Sequence, residues 1–314
     1  MKVSEVKVFA EKCPELPGMV NAQQLLSVLI AYGVNIKNIY QELEMESAFV
    51  DVHNDISFSQ DTIQLHSHIF YEIMLCQGGN VQYILNDKRY RLKRGDVVII
   101  PPCVSHRPLF MEELTEPYKR IVLWINASFF DRVTTAWPME DFSFAQGGFI
   151  LRTEEYGADG FSPLFEALLT ESENMHSGWQ AAISGGVMQL LVHLIRAHSN
   201  EAVSPSAESG SLLDDVMYYI DHNLTQKITL ENVARHFFVS RSSISHLFSQ
   251  KLGISFYHYI IQHRLIAAKS KILDGVPMGD ICTECGFSDY SSFYRLFKKE
   301  YGISPLEYKR VFGI

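Results

Sequence analysis

The feature of this 314-residue chain that most limits its fold is an internal repeat near the C-terminus. Residues 228–255 and 277–304 present the same order of signals: a short apolar helix pattern, a tight turn, a second helix pattern and a closing Gly-Ile-Ser. Ser240 and Ser288 stand where a serine side chain would cap the second helix of each unit. Two short helices joined by a tight turn form a helix-turn-helix motif, so the sequence predicts two such motifs in tandem.

Apolar residues at helical spacing supply a separate core for each unit. They are Leu230, Val233, Ala234, Phe237, Ile244, Leu247 and Phe248 in the first unit and Ile281, Cys282, Cys285, Phe287, Phe293, Leu296 and Phe297 in the second. The stretch 256–273 predicts one connecting helix, with Tyr259, Ile260, Leu265, Ala268 and Leu273 facing inward. A zinc or redox site at Cys282 and Cys285 is the alternative to their core role, but zinc would need two more ligands and the chain has no second cysteine pair.

The charge distribution separates the two ends of the chain. The formal net charge is −9, but from residue 212 onward 12 Lys and Arg face 10 Asp and Glu, so the acidity belongs to the upstream part. Such a chain is not expected to coat DNA without sequence preference, because its upstream part would repel the phosphates. Phosphate binding by the C-terminal part would require its basic residues to share one face: Lys251, Arg264, Lys269, Arg295, Lys298, Lys299, Lys309 and Arg310.

The C-terminal part carries a specific set of motifs, densest in the second unit. They are Asp280-Ile281, Gly286-Phe287-Ser288-Asp289, Phe293, Phe297-Lys298-Lys299, Gly302, Ser304-Pro305 and Tyr308-Lys309. With these motifs, residues 212–310 resemble the DNA-binding domain of the AraC/XylS family of transcription regulators. The resemblance implies double-stranded DNA and RNA polymerase as partners.

In such a domain the second helix of each unit enters the major groove, and side chains near its N-terminus reach the base edges. By position, the residues expected to contact DNA are Arg241, Ser242, Ser245 and His246 in the first recognition helix and Asp289, Tyr290, Ser291, Tyr294 and Arg295 in the second. Short hydroxyl side chains dominate the first helix, which predicts a modest direct readout there.

The upstream part contains short runs of residues that favour β-strands. The runs YEIMLC, VQYIL, DVVIIP and RIVLWI are separated by turn signals at Gly78-Gly79, Asn86-Asp87 and Arg94-Gly95, which predicts a compact antiparallel β unit. Two antiparallel helices are predicted over 163–198 and one helix over 22–32, and the polar stretch 199–211 is typical of a linker. We therefore expect an α+β chain: a β-barrel domain with flanking helices over 1–198, a linker, and an all-α domain over 212–314.

The β unit also carries a polar motif. The pattern His66-x-His68-x-x-x-Glu72, followed by Gly95-Asp96, Ile100-Pro101-Pro102 and His106, resembles the cupin-type sensor domain found upstream in many AraC/XylS members. In metal-dependent cupins, residues placed like these two histidines, Glu72 and His106 bind one metal. Cys103 and Phe110 depart from the enzymes' pattern, where glycine and asparagine are usual.

We interpret the β unit as the pocket for a small organic effector. Its expected residues are His66, His68, Glu72, Tyr83, His106 and Trp124. The chain is then expected to be a transcription regulator with no cofactor, no metal and no catalytic residues. Polar pocket lining, a bound metal and a purely structural role remain alternatives for the histidines, and a metal-dependent cupin enzyme fused to a DNA-binding module is the alternative function.

Three further expectations concern assembly and location. A leucine-rich stripe on the helices of 163–198, including Leu191 and Leu194, predicts a homodimer. The absence of a long apolar run and of a signal-peptide pattern predicts a cytoplasmic protein without membrane contact. Five scattered cysteines predict reduced thiols.

Overall fold

A computed structural model describes most of the chain outside the N-terminus. The described residues are 45, 49–57, 63, 65–79, 81–110, 114, 116–136, 148–152, 160–198 and 210–312, with side chains to residue 310. The helix predicted over 22–32 and residues 199–209 of the predicted linker lie outside them. Within the described part, no helix combines the length and apolar character needed to cross a membrane.

The described strands of the upstream part form two antiparallel sheets, which confirms the predicted β unit. They are β1 (Val50–Ser57), β2 (Tyr71–Gly78), β3 (Gln82–Leu85), β4 (Lys88–Arg91), β5 (Val97–Ile100), β6 (His106–Leu109), β7 (Tyr118–Ile125) and β8 (Phe149–Leu151). One sheet has the order β1-β7-β2-β5-β8 and the other has the order β4-β3-β6. The four apolar runs of the sequence are β2, β3, β5 and β7. Among the strands that the structure describes, the two sheets face each other without closing into one barrel.

Alternation along the strands divides the five-stranded sheet between two cores. In β2, Ile73 and Leu75 pack toward one side, whereas Met74 and Cys76 pack toward the three-stranded sheet. The first side is covered by three helices, α1 (Ala127–Ala136), α2 (Ser162–Asn174) and α3 (Trp179–His198). The predicted helix pair over 163–198 is therefore confirmed as α2 and α3.

The leucine-rich stripe of α3 is buried inside its own chain. Leu191 and Leu194 have no exposed surface and belong to the core between the helices and the five-stranded sheet. The helices also pack tightly against each other, since a Cβ on Gly186 would lie 2.7 Å from Leu168 Cδ2. The prediction that Leu191 and Leu194 face a second subunit is therefore wrong, because the sheet already covers them.

The downstream part is helical. Its elements are α4 (Leu212–His222), α5 (Leu230–His236), α6 (Arg241–Lys251), α7 (Phe256–Leu273), α8 (Met278–Glu284), α9 (Tyr290–Tyr301) and α10 (Pro305–Phe312). The two predicted helix-turn-helix units are α5–α6 and α8–α9, joined by α7 over the predicted range. Cys282 and Cys285 are buried in the second core beside Phe293 and Phe297. Within the described residues, neither cysteine belongs to a group of three possible metal ligands.

The three-stranded sheet contacts the helical part directly. Ile84 and Leu109 from this sheet share an apolar core with α4 and α7. Polar contacts surround it: Arg89 forms two hydrogen bonds with the Asp214 carboxylate, each 3.1 Å, and Arg107 donates to Leu252 O at 3.2 Å. The upstream and downstream parts are therefore joined by packing as well as by the chain.

Candidate effector site and nucleic-acid interface

The predicted polar cluster forms where the two sheets meet. Glu72 lies in β2 and His106 begins β6, while His68 belongs to a short segment that leads into β2. That segment is held in place by backbone hydrogen bonds in both directions between His66 and His106, of 3.2 and 2.9 Å. Residues distant in sequence thereby converge on one point.

Three of the predicted residues place ligand-type atoms close together. Nε2 of His68 lies 2.9 Å, and Nε2 of His106 lies 3.1 Å, from the same carboxylate oxygen, Oε2 of Glu72. All three side chains are buried. The His66 ring centre lies 4.2 Å from that of His106 but 6.5 Å from that of His68. His66 is half-buried and lies outside this three-ligand group.

Aromatic residues enclose the cluster. Trp124 donates from Nε1 to Glu72 Oε1 at 3.3 Å, and the Tyr83 ring lies parallel to His106 with 6.4 Å between centres. Both predicted aromatic residues therefore contact the site. Phe70 was not among the predicted site residues, but it stacks on His68 with ring centres 4.0 Å apart. The available signal was an aromatic residue between a predicted ligand and the next strand.

Burial and mutual contacts set the protonation of the cluster. Burial lowers the pKa of His68, against the opposing effect of Glu72. Burial alone would raise the pKa of Glu72, but hydrogen bonds and charges from His106 and His68 outweigh it and hold the pKa well below its ordinary value. Burial raises the pKa of Tyr83 well above its ordinary value. At neutral pH the site therefore combines an ionised carboxylate and a neutral tyrosine.

The Gly95-Asp96 motif has a structural role. Gly95 adopts a left-handed backbone with φ of 88°. Asp96 is buried and accepts hydrogen bonds from the Lys93 backbone at 2.8 Å and from two nitrogens of Arg152 at 3.1 and 3.2 Å. The motif therefore fixes the turn before β5 and contributes no group to the cluster.

The predicted DNA-contacting residues lie at the N-terminal ends of α6 and α9. In α6, Arg241, Ser242, Ser245 and His246 are all exposed. In α9 and its preceding turn, Asp289, Tyr290, Ser291 and Arg295 are exposed, while Tyr294 is half-buried. Each helix thus presents a continuous polar surface at the end that a recognition helix directs toward bases.

The start of α9 differs from the prediction by one residue. Ser240 caps α6 by accepting from Ser243 N at 3.0 Å, as predicted. Asp289 caps α9, accepting from Ser292 N at 2.7 Å, and Ser288 only donates to the Asp289 carboxylate. The predicted cap at Ser288 is wrong because the second turn is one residue longer, and the Asp289 side chain is engaged by its own helix.

Two of the basic residues donate hydrogen bonds to backbone carbonyl oxygens of the protein itself. Lys269 is buried, and its Nζ donates to Ser67 O at 3.0 Å. Arg264 donates to Leu224 O at 3.0 Å and to Gln226 O at 2.6 Å. The condition that all eight basic residues share one exposed face is therefore not met, because Lys269 is buried. The remaining six keep some exposure: Lys251, Arg295, Lys298, Lys299, Lys309 and Arg310.

Comparison with known proteins agrees with the division of the chain into an upstream and a downstream part. Residues 55–191 match the AraC-like ligand binding domain, and residues 233–310 match a helix-turn-helix domain. The chain is 28% identical to the HTH-type transcriptional activator RhaR of Yersinia pseudotuberculosis, over 81% of this chain and 87% of that protein. It is 28% identical to the arabinose operon regulatory protein of Salmonella typhimurium, over 71% and 78% of the two chains.

A solved structure also resembles the downstream part. The C-terminal domain of AraT, a response regulator from Geobacillus stearothermophilus, is 33% identical with a TM-score of 0.31, and the match covers 32% of this chain and 84% of that one. The two domain matches and the curated relatives give the upstream part a ligand-binding role and the downstream part a DNA-binding role. The chain belongs to the AraC/XylS family of transcription regulators.

Proposed function

We propose that this regulator binds its small effector at the buried cluster between the two sheets, and that occupancy changes how the DNA-binding part is held. The residues assigned to the effector are His66, His68, Glu72, Tyr83, His106 and Trp124. One observation carries the proposal: the segment that supplies His68 to the cluster also supplies Ser67 O to the buried Lys269 of α7.

The contact at Lys269 gives the proposal a physical route. Its Nζ lies 5.2 Å from the centre of the Tyr301 ring, at the end of the second recognition helix. A buried hydrogen bond from a charged group contributes roughly 1.5–3 kcal/mol, enough to change a docking equilibrium by tenfold or more. An effector that shifts His66 or His68 therefore also shifts the acceptor of Lys269.

For the DNA-binding part we propose that both recognition helices contact one duplex site of roughly 20 bp, one helical turn apart. The residues assigned to base contacts remain Arg241, Ser242, Ser245, His246, Asp289, Tyr290, Ser291, Tyr294 and Arg295. Of these, Asp289 acts mainly by fixing the helix start, because its carboxylate already accepts from Ser292.

We also propose a cytoplasmic homodimer that works with RNA polymerase and has no enzymatic activity. The transcriptional activator named among the relatives supports the polymerase contact. Since Leu191 and Leu194 are buried, the dimer would use the outer side of α3, where Met188 and Val192 are half-buried. The domain limits stay as 1–198, a linker over 199–211, and 212–314.

The full-length chain tests the effector site. Sugars, small acids and aromatic metabolites are screened for ligands that raise the melting temperature, since a ligand that binds only the folded state stabilises it. DNA affinity is then measured with and without each ligand for the wild type, for Glu72→Gln, and for His176→Gln as a control at an exposed histidine of the same domain. We expect the ligand to alter DNA affinity in the wild type and the control only. An equal response in Glu72→Gln would contradict the proposed site.

A metal-dependent cupin enzyme fused to a DNA-binding module is the second candidate. The convergence of His68, Glu72 and His106 is the observation that favours it. The curated relatives named as regulators favour the first candidate. Turnover that requires a bound metal and is lost in Glu72→Gln would reverse this order.

A further inference from the structure

The two buried histidines of the cluster direct their Nε2 atoms at one carboxylate oxygen. Nδ1 of His68 lies 2.8 Å from Phe70 O, and Nδ1 of His106 lies 2.9 Å from Val104 O. A carbonyl oxygen only accepts hydrogen bonds, so each Nδ1 carries the hydrogen. In a neutral imidazole the other nitrogen, Nε2, then holds a lone pair. Both Nε2 atoms lie close to Oε2 of Glu72, at 2.9 and 3.1 Å.

A cation would satisfy all three atoms at once. Because Nδ1 of His68 already donates to a carbonyl oxygen, the contact of 2.9 Å between His68 Nε2 and Glu72 Oε2 holds a hydrogen atom only if Nε2 carries a second proton. His106 Nε2 lies 3.1 Å from the same oxygen but is buried without an aligned hydrogen bond. Burial of a polar atom without a partner is unfavourable, so the site favours a cation at the point where the three atoms meet.

The spacing of the three atoms suits a transition-metal ion. They lie within 4.8 Å of one another. Bonds of roughly 2.0–2.1 Å in a tetrahedral arrangement separate neighbouring ligand atoms by about 3.3 Å, close to the distances of 2.9 and 3.1 Å. Two imidazoles with one carboxylate are donors for Zn²⁺, Co²⁺, Ni²⁺, Fe²⁺ or Mn²⁺, whereas Ca²⁺ and Mg²⁺ prefer oxygen ligands alone.

The outer contacts of the cluster are those that orient metal ligands. The carbonyl groups of Phe70 and Val104 fix the two rings through Nδ1. Trp124 donates to Oε1 of Glu72 at 3.3 Å and leaves Oε2 for the ion. Such outer hydrogen bonds hold the tautomer and the ring orientation of ligating histidines.

We propose that His68 Nε2, Glu72 Oε2 and His106 Nε2 bind one divalent transition-metal ion. This inference rests on the proposed effector site and names the class of ligand that completes it. Coordination positions that these three side chains do not fill would take water or a donor atom of the effector. Because His68 precedes β2 directly after Ser67, the ion would also stabilise the segment that receives Lys269.

Titration of the metal-stripped full-length chain with Co²⁺ tests the inference through visible absorption and melting temperature. We expect saturable binding of one Co²⁺ per chain, with d–d bands that indicate nitrogen and oxygen ligands and a rise in melting temperature. Glu72→Gln and His106→Gln should lose this binding, while His176→Gln should retain it. Trp124→Phe keeps the ring but removes the outer hydrogen bond, and it should lower Co²⁺ affinity by about 10–100-fold.

Circular dichroism of the metal-free variants identifies any that fail to fold. If Glu72→Gln or His106→Gln fails to fold, the Co²⁺ affinity of Trp124→Phe tests the inference in its place. Absence of one-to-one Co²⁺ binding, or equal binding by Glu72→Gln and His176→Gln, would overturn the inference. The proposed effector site is tested separately: an organic ligand that alters DNA affinity through Glu72 without Co²⁺ binding would leave that site standing and remove only the metal.

Discussion

The two helix-turn-helix units have the same backbone conformation in the turn but carry very different residues at the same turn position. In both, the first helix ends on a left-handed residue, Phe238 with φ of 57° and Gly286 with φ of 75°. The following amide closes each turn: Val239 N donates to Ala234 O and Phe287 N to Cys282 O, both at 2.9 Å. This is the helix ending that normally selects glycine.

The surroundings of the two residues explain the difference. The Phe238 side chain is 96% exposed, so a bulky side chain has room there. A Cβ at Gly286 would lie 2.1 Å from Leu224 O and 2.9 Å from Arg264 Nη2. The turn of the second unit packs against the loop that Arg264 holds after α4. Close packing therefore requires glycine in one unit, while backbone preference alone does not exclude phenylalanine in the other.

The largest expected effect comes from Gly286→Ala. Left-handed backbone costs an alanine roughly 1–2 kcal/mol, and overpacking against a carbonyl oxygen adds about 1–3 kcal/mol, so we expect unfolding free energy to fall by roughly 3 kcal/mol or more. Gly253→Ala is the matched control, because Gly253 has φ of 67° and a Cβ added there would have no neighbouring atom within 4 Å. Urea denaturation of both variants checks the difference. Equal losses would show that packing contributes nothing at Gly286.

Most of the helical half could be predicted because its signals are local. Apolar spacing located both units and the connecting helix, but it missed the length of the second turn and did not locate α4 or α10. The β unit was harder. β1 contains His53, Asn54 and Asp55 and forms a strand by pairing along β7, from Val50 opposite Ile125 to Ser57 opposite Tyr118. Such pairing partners are remote in sequence and leave no periodic apolar signal.

In the candidate site too, local patterns were predicted well and contacts with distant parts of the chain were not. The motif spacing correctly brought His68, Glu72 and His106 together. The same spacing grouped His66 with them, but His66 lies outside the three-ligand group. The segment before β2 is not a regular strand, so strict alternation does not apply to it. The burial of Lys269 depends on contact between the two halves of the molecule. Its local sequence alone therefore indicates a residue on an exposed basic face of the helix. Contacts between domains are the part that the sequence does not encode locally.

The next largest effect separates the recognition surfaces. Arg295→Ala should weaken specific DNA binding by about 1–3 kcal/mol if the guanidinium contacts a base edge. Arg241→Ala should cost less, since the first helix presents mainly short hydroxyl groups. Fluorescence anisotropy on a selected duplex and on random DNA measures both, with Arg196→Ala on the upstream half as the control. A larger loss for Arg241→Ala would reverse the assigned roles of the two helices.

Smaller effects distinguish the two helix caps. Ser240→Ala should cost about 1 kcal/mol through the lost cap, whereas Ser288→Ala should stay within about 0.5 kcal/mol of the wild type. Asp289→Ala should destabilise the fold.

The pH dependence of Asp289 gives a second test of the caps. Hydrogen bonds from the Ser292 backbone, the Ser292 hydroxyl and the Ser288 hydroxyl lower the pKa of Asp289. Since its pKa is lower in the folded state, its stabilisation is present above the unfolded pKa and is lost as pH falls through the folded pKa. The stability difference between the wild type and Asp289→Asn should therefore narrow in acid. A destabilising Ser288→Ala with a neutral Asp289→Ala would return the cap to Ser288.

The smallest expected effect, and the only stabilising one, comes from Phe238→Gly. Glycine removes the left-handed strain of roughly 1–2 kcal/mol but adds about 0.5–1 kcal/mol of chain entropy, so the net gain should be about 1 kcal/mol or less. Loss of the ring costs little in the folded state, because the side chain is 96% exposed. Phe238→Ala is the matched control, since it removes the ring and keeps the strained backbone, and its stability should stay near that of the wild type. Thermal and urea unfolding measure both variants. If Phe238→Gly gains nothing over Phe238→Ala, the left-handed backbone carries no cost in the first unit, and the two turns differ by packing alone.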